Sequence, residues 1–279
     1  MSDFWYNYVR LLRGVIIRAK NQNEGEKNMY DLQKPNMWKR IAAALLDFFL
    51  LIIIASGIVI LLMAVFNIDS YSEGFQSRCD EFEQIYGTDF DMSDDDYSAL
   101  DEAGKKAYDD ATAALLADGE ANYHFSMIIN LILLSVTLGF FIAYLVTEFI
   151  MPLIFKNGQS LGKKAFGIGV MREDGVKISS VQLFARTVLG KFTIETMVPV
   201  FILIMLYFEL MGIVGIAVLV GMVILQLVLL IVNKTRTPIH DLIAHTVTVD
   251  LQSQMIFDTP EELLEYKQAM HAEKVVRSE

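Results

Sequence analysis

Three runs of the chain, 48–66, 125–147 and 210–232, contain no charged residue. Each is long enough to cross a hydrocarbon core that needs about 20 apolar residues. A shorter apolar run, 196–208, lies between Lys191 and Glu209. It spans if 192–195 continue the helix and Glu195 faces protein or headgroups, so the pattern predicts four spans.

Between the spans the pattern changes period. Positions 4, 8, 11, 12 and 15 are apolar at helical spacing, with Arg10, Arg13 and Arg18 elsewhere. That predicts a basic amphipathic helix, lying in the membrane interface or packed on the protein's own inner face. Within 67–124, Ser93 before three aspartates reads as an N-cap, and Tyr97, Leu100, Gly104, Ala107, Tyr108, Ala111 and Leu115 recur at helical spacing, predicting a small helical hairpin. Phe166, Ile168 and Val170 alternate, Asp174-Gly175 is a tight-turn signal and 176–178 returns, predicting a short β-hairpin. Ser179 or Ser180 then caps an interfacial helix striped by Val181, Phe184, Ala185, Val188 and Leu189. Alternating Val247 and Val249 predict a strand that pairs with 166–172, and Thr259-Pro260-Glu261-Glu262 opens a last helix.

The expected fold is therefore an all-α polytopic membrane protein: four transmembrane helices, amphipathic interfacial helices and a small cytoplasmic β-element. In order, these are an N-terminal segment (1–37), the first span (38–66), an acidic helical insertion (67–124), the second span (125–151), a hairpin and interfacial helix (152–191), the third and fourth spans (192–232) and a C-terminal strand and helix (233–279).

Charge orients this arrangement. The net charge of −11 is concentrated in 67–124, which holds sixteen Asp and Glu against Arg78, Lys105 and Lys106. The other connections carry mostly Lys and Arg, so the positive-inside rule places both termini and the 152–191 connection in the cytoplasm and the acidic insertion outside. That requires an even number of spans, in agreement with four. Cys79, the single cysteine, excludes an internal disulfide.

Candidate chemistry gathers at one depth. Asp47 lies about two turns into the first span, Glu148 near the end of the second and Glu195 near the start of the third. Arg40, Arg186, Lys191 and Asp241 sit at the adjoining surface. A lone carboxylate at that depth costs roughly 2.5 kcal/mol or more, so these acids are expected to be paired or to face water. Arg40 is expected to meet Asp241, and Asp47 to meet Arg186 or a bound cation.

Other site chemistries fail on spacing. GQSLGK sets its glycines one residue too close for a phosphate loop and ends in Lys163-Lys164 without Ser or Thr. Asp89, Asp91 and Ser93 begin like a calcium loop, but Asp94 stands where Gly is needed and Leu100 where the bidentate Glu belongs. His240 and His245 do not share a helical face, which argues against zinc and for Asp241 as a turn cap. Without a nucleophile–base pair, a phosphate cradle or a cysteine cluster, neither catalytic residues, nor a metal, nor a cofactor are expected, and the protein is not expected to be an enzyme. The basic segments suit anionic lipid headgroups better than nucleic acid.

Arg40 and Asp47 at the head of the first span, GQSLGKKAFGIGV after the second, Arg186, and HDLIAHTVTV after the last together resemble the RDD family of bacterial membrane proteins, named for one arginine and two aspartates. The resemblance covers 36–66 and 125–251 and makes Arg40, Asp47 and Asp241 the namesakes. It implies a transport-related role, since cation/proton exchange has been associated with some members. Two readings stay open: a cation or proton site built on Asp47 with Glu148 or Glu195, or a structural clamp in a scaffold or accessory subunit that recruits a partner through its acidic insertion or cytoplasmic helices. Membrane lipids, a small cation and a second copy of the chain are the expected partners.

Overall fold

A computed structural model describes residues 32–232 and 237–278. The expected N-terminal amphipathic helix lies outside the described residues, as do Lys234 and Arg236. The helices are α1 (Met37–Val65), α2 (Ile68–Tyr86), α3 (Asp94–Ala99), α4 (Glu102–Ala117), α5 (Gly119–Phe155), α6 (Leu161–Ala165), α7 (Ser180–Tyr207), α8 (Gly212–Val232), α9 (Ile239–Ala244) and α10 (Pro260–Ser278). The strands are β1 (Ile168–Arg172) and β2 (Thr246–Asp250). Four helices, α1, α5, α7 and α8, are long and apolar enough to cross a membrane. The protein is an all-α polytopic membrane protein with a two-stranded sheet.

The chain divides into two compact units, with the boundaries inside α1 and α5. The unit Phe48–Val146 joins two spans to the acidic insertion. Leu51, Ala55 and Ala143 form its buried apolar seam, flanked by Ile54, Ile58, Phe140 and Tyr144. In the insertion, Arg78 grips Asp118 with two bonds, Nε to Oδ1 at 3.1 Å and Nη2 to Oδ2 at 2.8 Å. Asp118 in turn caps α5 by accepting from the Ala121 N–H at 2.7 Å. Ser93 caps α3 as its sequence position suggests. The single helical stripe expected from Tyr97 to Leu115 is instead split at Leu100, because Asp101 accepts the Gly104 N–H at 2.7 Å and starts a new helix. Cys79 is buried.

The second unit contains the start of α1 and everything from Thr147 onward. β1 and β2 pair antiparallel with Val170 opposite Thr248, as the alternating valines predict. Met171, Val247 and Val249 form the core beside this sheet, with Leu32 and Ile256 against them. The expected β-hairpin is reduced to a single bridge, Met171 to Lys177. Its return segment is captured by the chain before α10: Lys177 N–H donates to the Phe257 carbonyl at 2.9 Å, and Phe257 N–H to the Gly175 carbonyl at 3.2 Å. Thr259 caps α10, accepting the Glu262 N–H at 3.2 Å.

The interfacial helix and the third span are one helix, α7. Ser179 opens it with a reciprocal capping box to Gln182, and no break separates that end from the apolar run. The winding changes instead. Arg186–Met197 is wound as a π-helix, with Leu145–Ile150 of α5 wound the same way. The Thr193 hydroxyl donates to the Val188 carbonyl at 2.8 Å and Thr196 to Lys191 at 2.9 Å, each five residues back.

Candidate functional site: a buried charge network

The winding of α7 decides which charges meet. In an α-helix, about 100° per residue would put Lys191 roughly 140° and Glu195 roughly 180° away from Arg186. Bonds that reach five residues back place roughly one more residue in each turn. Nine residues then make about two turns, and Arg186, Lys191 and Glu195 return to one face.

At the α1 side, Asp47 Oδ2 accepts from the Ser160 hydroxyl at 2.5 Å and Oδ1 from the Gly162 backbone N–H at 2.7 Å. The carboxylate thus caps α6 from another helix, while Ser160, at the N-cap position, makes no side-chain cap bond of its own. This approach requires glycine at 162: a Cβ there would lie 2.3 Å from the Ala43 carbonyl oxygen and 2.8 Å from Asp47 Oδ1. Lys163 follows one residue later, with its ammonium 2.8 Å from Ser160 Oγ, 3.5 Å from Asp47 Oδ2 and 3.4 Å from Glu148 Oε2.

Glu148 occupies the middle of the network. Lys191 Nζ binds Oε1, while Lys163 and, at 3.6 Å, Arg186 Nη1 approach Oε2. Its backbone carbonyl accepts the Thr187 hydroxyl at 2.8 Å, fixing α5 against α7.

The far side is built by α9 and β2. Arg186 Nε donates to Asp241 Oδ1 at 2.5 Å. Thr246 and Thr248 donate their hydroxyls to Oδ1 and Oδ2 at 2.8 and 3.2 Å. Burial would raise the Asp241 pKa, but Arg186, with His240 and these donors, holds it well below the usual carboxylate range. His240 Nδ1 lies 2.9 Å from both Glu195 oxygens, and its backbone N–H donates to Oε1 at 3.1 Å. Gln226 on α8 donates to the same oxygen at 2.8 Å. Burial pushes the His240 pKa down against the opposing pull of Asp241, so the neutral imidazole donates through Nδ1. Gly190 makes room for this contact, since a Cβ there would lie 2.5 Å from His240 Cβ.

The structure therefore brings Asp47, Glu148, Arg186, Glu195 and Asp241 into one connected network. Arg40 stands at the head of α1, half-buried, with its backbone N–H bonded to Asn36. Asp241 meets Arg186, and of the two partners expected for Asp47, Arg186 or a bound cation, the first is replaced by Ser160, Gly162 and Lys163. Sequence reasoning missed Ser160, Lys163, Gln226, Thr246 and Thr248. GQSLGK drew attention as a failed phosphate loop and as part of a family motif, and its serine and second glycine are the Asp47 ligands. His245 caps the end of α9 in the left-handed region, with φ 52°, and its side chain is exposed.

A family model described as RDD family matches residues 34–245, a span that contains every member of the network except Thr246 and Thr248. No curated protein and no solved structure matches the chain.

Proposed function

The chain belongs to the RDD family of membrane proteins, and from that premise we propose that it is a non-transporting membrane scaffold or accessory subunit whose charge network is a permanent clamp. One observation carries this reading: Asp47, Glu148, Glu195 and Asp241 are each held by fixed protein donors on another element. Breaking one pair strands a buried charge, at a cost on the order of 3–5 kcal/mol. Such a network suits a rigid frame for the elements it joins. The acidic insertion on the outside of a plasma membrane and α10 on the cytoplasmic side are the elements offered to a partner, with anionic lipids around the basic connections. The protein acts without catalysis, alone or as a homo-oligomer.

A second reading, proton-coupled movement of a small cation, rests on Asp47. Asp47 lies 3.5 Å from Lys163, which it shares with Glu148. Its remaining ligands are a neutral hydroxyl and an amide. A carboxylate so held could release a lysine and take up a cation or proton.

Reconstitution in proteoliposomes tests the choice. The clamp reading expects no sodium- or lithium-driven proton movement above empty vesicles. Flux that Asp47→Asn abolishes in a folded protein overturns it and establishes the second reading.

A further inference from the structure

We infer that Lys163, Arg186 and Lys191 form a binding site for a small monovalent anion of the carboxylate class, whose built-in occupant is the side chain of Glu148. Three cationic groups, one buried and two part-buried, converge on that one carboxylate from two elements: Lys163 from α6, and Arg186 and Lys191 from α7. Neither functional reading of Asp47 is needed for this site.

Two of the three cations are anchored independently of Glu148. Arg186 is anchored by Asp241 at 2.5 Å, and Lys163 by Ser160 at 2.8 Å and Asp47 at 3.5 Å. Lys191 has its backbone set by the π-turn, where its carbonyl accepts the Thr196 hydroxyl, while its ammonium binds Glu148. Taking the carboxylate away would leave the cations in place and unbalanced, which is the condition for an anion site.

A second observation points to the same ligand. Arg186 Nη1 is fully buried and makes no hydrogen bond, although Glu148 Oε2 lies only 3.6 Å away. A buried guanidinium N–H without an acceptor is costly and rare. The carboxylate is tethered to α5, whose backbone at Glu148 is fixed by Thr187, so it satisfies Lys191 fully and Arg186 incompletely. An untethered carboxylate of the same size can shift towards Nη1 while still meeting both lysines. The site thus accepts formate, acetate or a comparable small anion and excludes one much larger than a carboxyl group.

The test uses the full chain in detergent, with formate as the probe and gluconate at equal ionic strength as the bulky control. Glu148→Ala is expected to melt below the wild type and to regain stability in formate, saturably, with gluconate inert. At formate ten times the dissociation constant, the folding constant rises about elevenfold. Adding Lys191→Met to Glu148→Ala is expected to abolish the rescue. If Glu148→Ala accumulates only when purified in formate, that also supports the site. A folded Glu148→Ala that ignores formate, rescue equal in gluconate, or failure to fold in either anion overturns it.

Discussion

Arg186 Nε lies 2.5 Å from Asp241 Oδ1, and each side chain is only 1% exposed. The pair joins α7 to α9 and, through Thr246 and Thr248, to β2. Removing one partner should cost far more than removing both. Arg186→Met or Asp241→Leu alone is expected to destabilise by about 3–5 kcal/mol, while the two together should be much milder. Melting temperatures of the two single variants and the double variant give the coupling directly. Additive losses would mean that the pair is not a unit.

Close packing at Gly190 makes a second prediction. A Cβ there would sit 2.5 Å from His240 Cβ and 2.6 Å from its Cα, so backbone must move. Gly190→Ala is expected to cost about 1–3 kcal/mol or more and to loosen α9 from α7. Hydrogen exchange of the α9 amides should rise in this variant. In Gly221→Ala, where nothing lies within 4 Å of the added carbon, it should not.

His240 gives the protein a pH dependence of defined sign. Its pKa is lowered by burial, against Asp241 and Glu195, with Arg186 adding to the lowering. The folded protein therefore binds fewer protons than the unfolded chain as pH falls below the ordinary histidine value of about 6.5. The stability linked to His240 is full above that value and is lost as pH falls through the lowered folded value. Melting temperature should drop between neutral and mildly acidic pH, and His240→Asn, whose amide can replace the Nδ1 donor, should flatten that drop. An unchanged slope would remove His240 as its source.

Much of this architecture is written locally in the chain. The charge-free runs fix the spans, and Ser93, Ser179 and Thr259 fix helix starts through bonds within three residues. The pairing of β1 with β2 follows from two isolated alternating segments that needed a partner. The composition of the network follows from the cost of unpaired charge at depth, but its wiring does not. An α-helical phase would put Glu195 opposite Arg186; the π-winding that reunites them leaves no periodicity to read. The Ser160 and Gly162 contacts depend on α6 reaching Asp47 across more than a hundred residues, and no spacing rule encodes that.

Orientation can be measured with cysteine labels. The native Cys79 is a poor probe because it is buried, and burial, with nearby Glu83 and Asp80, pushes its thiol pKa up. In a Cys79→Ala background, Leu116→Cys places a thiol at a site 69% exposed on the insertion, and Leu264→Cys at one 56% exposed on α10. A membrane-impermeant maleimide applied to intact cells should label position 116 and leave 264 until the cells are broken. The reverse pattern would invert the proposed topology.

Asp47 tests whether its role is charge or capping. Asparagine keeps an oxygen for the Gly162 N–H and a polar atom for Ser160, whereas alanine leaves both donors without an acceptor. Orphaned buried donors cost about 1–3 kcal/mol each. Asp47→Ala is therefore expected to be destabilised by several kcal/mol and Asp47→Asn by about 1 kcal/mol, with Lys163 retaining Glu148 as its counter-charge. Thermal melts of the two variants order them. Equal, large losses would make the negative charge itself the essential feature. A mild Asp47→Asn would make that variant a folded control, so that flux lost in it reports on ion exchange at Asp47 rather than on collapse of α6.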